Sequence, residues 1–249
     1  MSYLPRKEFI FHIIYAVLGC DTLNIILIQT YTGNSNKMAG SGIQKEVLSL
    51  PHCWQEKLAF VLHNVFTEKY CCYNIFVTFK EVFLIKQVSR PDIRNSSRCI
   101  WDSEEEATKI WKRIKKYVPD VWSNRDVMGL NERLRVLRYD PGEYFLPHLD
   151  GSYIRDNGET SYITIQIYLN QGFEGGSTTF MSFDEKEKVE VVPKTGSVLI
   201  FQHDILHEGS LLIKGRKYAI RTDVMYSSET RDKKKKKGII SSLFNRGDS

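Results

Sequence analysis

The order of apolar and polar positions divides the chain into a first part of mixed character and a second part that reads as strand after strand. In the first part, residues 58–66 mix apolar with β-forming side chains and read as an opening strand, with Thr67 placed to cap a short helix behind it. The aromatic and β-branched stretch 70–88 has no clear period and fits helix or strand equally. The clearest helix starts after Asp102. Ser103 and Glu106 have the spacing of a capping box, Ala107, Ile110, Trp111 and Ile114 fall on one face, and Pro119 ends the run. A single apolar face of this kind packs along the outside of a sheet.

From residue 132 the period becomes two. Residues 133–139 alternate, Asp140-Pro141-Gly142 forms a turn in which proline presets φ and glycine supplies the positive φ, and 144–149 returns as the partner strand. In 162–170, Ile163, Ile165, Ile167 and Leu169 share one face while Thr164, Gln166 and Tyr168 share the other. Polar groups on the inner face of a barrel strand are costly unless they line a pocket, so this alternation predicts a ligand cavity. Gly175-Gly176 turns the chain into 177–183, the segments 189–192 and 197–202 continue the sheet, Gly209 and Gly215 bracket a hairpin, and 217–226 is the last strand. Many short strands joined by Gly and Pro turns predict a mainly β fold with supporting helices, a sandwich or jelly roll and not an α/β fold. The chain then divides into an N-terminal extension (1–50), a helical and mixed support region (51–130), a β-rich core (131–227) and a basic, disordered tail (228–249).

Composition adds little to this picture except through the placement of charge. The formal net charge of the 249 residues is +5, and the segment 231–237, with six cations and one Asp, carries all of it. The folded body therefore has no basic footprint for nucleic acid. The five repelling lysines are expected to stay solvated, as a solubilising tail more than as a nuclear signal. Residues 9–18 and 25–28 are apolar runs too short and interrupted for a confident membrane span, which needs about 20 continuous residues. The first resembles a short signal core, without a clean cleavage site behind it. The five cysteines are odd in number, lack CxxC spacing and all precede residue 131, so they read as reduced thiols of a cytoplasmic or nuclear protein and not as a disulfide framework.

The chemistry is concentrated in His148-Leu149-Asp150, which ends a strand, and in His207, Lys217 and Arg221 further on. Residues two apart on a strand point to the same side, so His148 and Asp150 can share a metal with a distant histidine. Two imidazoles and one carboxylate cap one face of an octahedral metal and leave the neighbouring positions open, as oxygen-activating Fe(II) requires. His203 competes for the third position, since it stands four residues before His207. His207 is preferred because it precedes Glu208-Gly209 and lies ten positions before Lys217. His12, His52 and His63 read as ordinary structural histidines. On the last strand Lys217, Ala219 and Arg221 share one face, with the small alanine leaving room between two cations.

These positions, together with Arg138-Tyr139, Gly142, Tyr144, Tyr168-Leu169-Asn170, Gly175-Gly176, Phe180, Pro193, Gly196, Leu206 and Gly215, resemble the catalytic domain of prolyl 4-hydroxylase-type Fe(II)/2-oxoglutarate dioxygenases. Ser177 departs from the pattern, standing where such enzymes commonly carry Glu. The resemblance implies a double-stranded β-helix with supporting helices on one side, with its catalytic core at 131–227. It implies Fe(II) at His148, Asp150 and His207, and 2-oxoglutarate held through Lys217, with Arg221, Tyr168 and Tyr139 as further contacts. Ascorbate is implied as the reductant of iron oxidised without productive turnover. The expected reaction hydroxylates a substrate C–H bond, a prolyl residue of a protein or peptide by preference, with release of succinate and CO2. The motifs fix the cosubstrate and not the substrate, so a small-molecule substrate remains an alternative. A non-catalytic jelly-roll binding module is a further one, disfavoured because all three metal donors and the cation are present.

Overall fold

The computed structural model describes residues 42–81 and 93–236. The apolar runs at 9–18 and 25–28 and the end of the lysine run lie outside these residues. Among the described residues no helix is long and apolar enough to cross a membrane. In chain order, β1 (Gln44–Val47) and β2 (Ala59–His63) precede α1 (Glu68–Glu81). β3 (Ser97–Asp102) leads into α2 (Glu104–Ile114), followed by β4 (Val121–Trp122) and β5 (Arg125–Leu130). Then come β6 (Arg133–Tyr139), β7 (Phe145–His148), β8 (Thr160–Tyr168), β9 (Glu174–Gly175) and β10 (Thr178–Met181). The series ends with β11 (Lys188–Val191), β12 (Val198–Gln202), β13 (His207–Gly209), β14 (Leu212–Lys214) and β15 (Lys217–Tyr226).

These strands form two facing antiparallel layers, the jelly roll that the strand pattern predicts. The larger sheet runs β1-β2-β12-β8-β15-β5-β4, with β6 also on β15 and β3 on β6; the smaller runs β11-β10-β13-β7. The alternation of β8 has the expected meaning. Ile163, Ile165 and Ile167 are fully buried on the outer side of the large sheet, in a cluster with Ile110 and Ile114 of α2 and with Phe66 and Cys71 at the start of α1. Tyr168 points the other way, into a cluster between the sheets with Ala219, Leu199, Phe201, Phe180 and Ile205. Each such large apolar side chain contributes about 1.5–3 kcal/mol by leaving water, so the two clusters hold the sheets and helices in register. The cavity lies between the sheets, beside the second cluster.

Several boundaries differ from those read in the sequence. β1, inside the expected extension, is a strand of the large sheet through pairs such as Val47 with Phe60, and β2 pairs with β12. β3 pairs with β6 and β5 with β15, so the support region and the core share one sheet. The ambiguous stretch is helical as far as Glu81, and its buried stripe explains the ambiguity: Cys71, Asn74 and Thr78 are fully buried, and two of the three are polar. Asn74 and Thr78 bond back to carbonyls of the preceding turn, at Tyr70 and Asn74. In α2, Ser103 Oγ accepts from Glu106 N–H as a cap should, but the reciprocal half of the box is replaced. Ser103 N–H donates to Glu132 O at 2.9 Å, and the Glu106 carboxylate instead accepts the Tyr70 hydroxyl of α1. Gly209 and Gly215 do not bracket a hairpin, because β14 pairs with β9. A Cβ at Gly175 would come within 2.3 Å of Leu211 O, so only glycine admits that pairing. The tail expected to be disordered begins as a helical turn at 231–236, with Arg231 Nε and Lys234 Nζ at 2.6 and 2.7 Å from the Asp126 carboxylate.

Gly196 ties the region before α1 to the core, since its carbonyl accepts from Phe66 N–H at 3.0 Å and its own N–H donates to Tyr168 O at 2.8 Å. At φ 76°, a Cβ there would lie 2.0 Å from Phe66 O. Gly196→Ala is expected to cost about 3 kcal/mol or more in urea unfolding. Gly172→Ala, at φ 85° with nothing within 4 Å of the added Cβ, should cost clearly less. Equal losses would show that strain at positive φ, and not the approach to Phe66, sets the penalty.

Candidate active site

The site begins with the register of two short strands of the smaller sheet. His207 on β13 lies directly opposite His148 on β7, which brings the two rings to a centroid distance of 4.4 Å. Each imidazole is oriented from behind by a main-chain carbonyl: His148 Nδ1 lies 2.8 Å from Leu146 O and His207 Nδ1 lies 2.9 Å from Ile205 O. A carbonyl only accepts, so both Nδ1 atoms carry the proton and both Nε2 atoms offer a lone pair. Those lone pairs face the Asp150 carboxylate, at 3.5 Å from His148 Nε2 to Oδ1 and 3.8 Å from His207 Nε2 to Oδ2. One donor atom from each of the three residues lies within 4.8 Å of the others.

Electrostatics keeps all three as donors. Burial lowers the pKa of His207 to about 4, against the opposing pull of Asp150, so its ring is neutral at pH 7. Burial by itself would raise the Asp150 pKa, yet the charge of Arg221, with the hydrogen bond from Thr164, drives it well below the usual carboxylate range. Arg221 Nη2 is 3.0 Å from Asp150 Oδ1, Thr164 Oγ1 donates to Oδ2 at 2.6 Å, and Asp150 N–H is bonded to His203 O at 2.9 Å. Two imidazoles held through Nδ1, facing an ionised, buried carboxylate, turn three ligand atoms toward one point. This donor set fits a cation, and nitrogen with carboxylate oxygen fits a divalent transition metal. His203, the competing histidine, turns elsewhere, with Nε2 3.6 Å from Asp223 Oδ1.

The inner face of β15 carries the cations in the expected order. Lys217 is wholly buried; its amine donates to Gly176 O at 2.6 Å and lies 5.0 and 5.7 Å from the ring centroids of Tyr139 and Tyr168. Burial lowers its pKa to about 7. Arg221 stands beside Arg135 of β6 across the strand pair, and Asp223 is shared between them, at 2.8 Å from Arg135 Nη1 and 3.5 Å from Arg221 Nη2. Arg221 therefore braces Asp150 in this structure. The Tyr168 hydroxyl donates to Thr178 Oγ1 at 2.8 Å, and Gln166 Nε2 donates to the same oxygen at 3.1 Å. His148, Asp150, His207, Lys217, Arg221 and Tyr139 all line one cavity, while Tyr168 sits behind its wall. Arg94, Arg135, Thr178 and Glu208 line it too and went unread in the sequence. Arg135 had a signal, in that it shares its side of an alternating strand with Tyr139; Arg94 had none.

Comparison with known proteins returns the same chemistry. Residues 134–222 match the model of the 2OG-Fe(II) oxygenase superfamily. The probable prolyl 4-hydroxylase 10 of Arabidopsis thaliana is 30% identical over 198 residues, covering 67% of this chain and 68% of that protein. A putative prolyl 4-hydroxylase of Acanthamoeba polyphaga mimivirus is 29% identical over 154 residues, 57% of this chain, and the match spans 59% of that relative's length. The solved viral collagen prolyl hydroxylase of Paramecium bursaria Chlorella virus-1, in complex with 2OG, shares the fold with a TM-score of 0.52. It is 22% identical, over 67% of this chain and 95% of that one. The chain belongs to the 2OG-Fe(II) oxygenase superfamily and is prolyl 4-hydroxylase-like.

A buried amine whose pKa falls from 10.5 to about 7 costs stability wherever the unfolded chain holds the proton that the folded chain sheds. Between those two values stability rises with pH, and the cost is largest at and below pH 7. Lys217→Met is therefore expected to stabilise the protein by about 1–4 kcal/mol at pH 7 in urea unfolding without added 2-oxoglutarate. The advantage should shrink towards pH 10. A variant no more stable than the parent at pH 7 would show that the Gly176 bond offsets the burial of the amine.

Proposed function

We propose that the chain is an Fe(II)- and 2-oxoglutarate-dependent dioxygenase that hydroxylates a prolyl residue of a protein or peptide. The observation that supports this most is the convergence of His148 Nε2, His207 Nε2 and the Asp150 carboxylate in the cavity that also contains the buried Lys217. Iron bound there supplies the oxidation, in which dioxygen and 2-oxoglutarate are consumed, succinate and CO2 leave, and a substrate C–H becomes C–OH. His148, Asp150 and His207 hold the metal through atoms already fixed by Leu146 O, Ile205 O and Thr164. Lys217 takes the distal carboxylate of the cosubstrate, since a desolvated carboxylate needs a cation and this amine lies at the buried end of the face that also carries Arg221. Tyr139 walls the same end, and Tyr168 fixes Thr178, whose hydroxyl faces the cavity. Arg221 keeps Asp150 ionised and aimed. Ascorbate enters as the external reductant for iron oxidised in unproductive cycles.

Alanine at His148, Asp150 or His207 should abolish both iron retention, measured by metal analysis after gel filtration, and 2-oxoglutarate turnover. His203→Ala should keep a substantial fraction of each. The reverse pattern would transfer the third ligand to His203. Lys217→Ala should raise the apparent 2-oxoglutarate requirement by about 2–4 kcal/mol equivalent, the scale for removing one partner of a buried charge pair. Arg221→Ala should act chiefly on iron affinity; a larger 2-oxoglutarate defect at Arg221 than at Lys217 would reverse the two roles.

A further inference from the structure

We infer that the substrate presents a carboxylate next to the residue that is hydroxylated, and that Arg94, seated beside Arg135 and Arg221, receives it. The inference rests on the oxygenase reading above and names the substrate class for that site. Three guanidinium groups line the cavity that contains the metal donors, and the family's cosubstrate uses none of them when Lys217 takes its distal carboxylate. Two of the three already have acids. Arg135 pairs with Asp223, and Arg221 with Asp150 and Asp223. Arg94 has no carboxylate within ion-pair distance among the described residues, and its Nε is buried without a hydrogen-bond partner. Glu208, the other acid lining the cavity, accepts from Ser210 Oγ at 2.9 Å and pairs with none of the three among the described residues.

Arg94 is also held in place, unlike an ordinary surface arginine. Its backbone bridges to Phe145, Ile93 O accepts from Leu146 N–H at 3.0 Å, and Asn95 Oδ1 accepts from Tyr144 N–H at 2.7 Å. Its guanidinium lies 5.4 Å from the centroid of Phe145, and that ring stacks on His148 at 3.6 Å. The cation is thus one aromatic ring away from an imidazole of the metal cluster. Burial lowers the pKa of Arg94 from its ordinary value, opposed by Tyr139 and helped to a smaller degree by the charge of Arg221. A carboxylate there offsets the desolvation of the guanidinium and satisfies its fork of donors, Nε included. Neighbouring Cα atoms are about 3.8 Å apart, so an acidic side chain beside the target proline, or the carboxylate of a C-terminal proline, reaches this position while the ring faces the metal donors.

The test uses the full chain with Mn(II) and 2-oxoglutarate, which allows binding without turnover, and fluorescence anisotropy of four N-terminally labelled peptides at low salt. One pair carries Glu or Gln beside an internal proline; the other ends in proline as the free acid or the amide. In at least one pair the acid should bind about tenfold more tightly than its neutral partner, and the pair that responds identifies the source of the carboxylate. Arg94→Glu should abolish or invert the preference, and Arg94→Gln should reduce it even if the charge reversal impairs folding. Equal binding within both pairs, or a preference that survives both substitutions, overturns the inference. Decarboxylation of 2-oxoglutarate by the Fe(II)-loaded chain, measured in parallel, tests the oxygenase reading separately. A chain that decarboxylates without preferring acids keeps that reading and loses this one.

Discussion

An ionised carboxylate with almost no access to water is the constraint around which this fold is arranged. Asp150 is 9% exposed and faces two imidazoles whose protons point away from it. Left alone, such a group would take up a proton or unfold its surroundings. The protein meets it with donors drawn from separate strands, Thr164 from β8 and Arg221 from β15, while its backbone N–H anchors the residue to the carbonyl of His203. Those strands must therefore keep their register, and the apolar side chains on their outer faces, packed against the two helices, keep it for them. The arrangement of the large sheet and the charge state of one oxygen pair are the same problem.

The charges of the cavity follow from that arrangement. A row of inward positions on β6 and β15 carries Tyr139 opposite Lys217, Leu137 opposite Ala219 and Arg135 opposite Arg221. One end of the row is a single amine among aromatic rings, and the other is a pair of arginines sharing Asp223. The first suits a small dianion that enters by one end; the second braces the metal carboxylate and faces the outer part of the cavity with Arg94. A chain whose formal charge lies in its tail still concentrates cations where its chemistry occurs.

Much of this was legible because it depends on local pattern. The two-residue period of β6, β8 and β15 can be read without knowing their neighbours, and the observed β6 and β15 have the bounds the alternation indicates. His148-x-Asp150 is legible for the same reason, as two residues on one side of one strand. What escaped was set by distant partners. β1 is exposed along its length and is a strand because β2 pairs with it; α1 buries Asn74 and Thr78, which erases its apolar period. Glu106 was expected to close its own cap, but a tyrosine from another helix competes for it. Arg94 lies in a segment with no periodicity, and its position against Phe145 follows from a bridge that no local rule indicates.

The burial of Lys217 has one more consequence. An amine with a pKa near neutrality, bonded to Gly176 O, is only partly charged at the pH at which it would meet a dianion. If Lys217 takes the cosubstrate as proposed, capture of that anion would pull the pKa back up, so the cosubstrate would bring a proton with it from the solvent. Binding and proton uptake would then be one event. The heat of binding would depend on the ionisation enthalpy of the surrounding buffer, and the pocket would discriminate between neutral and alkaline surroundings through a residue that never touches the metal.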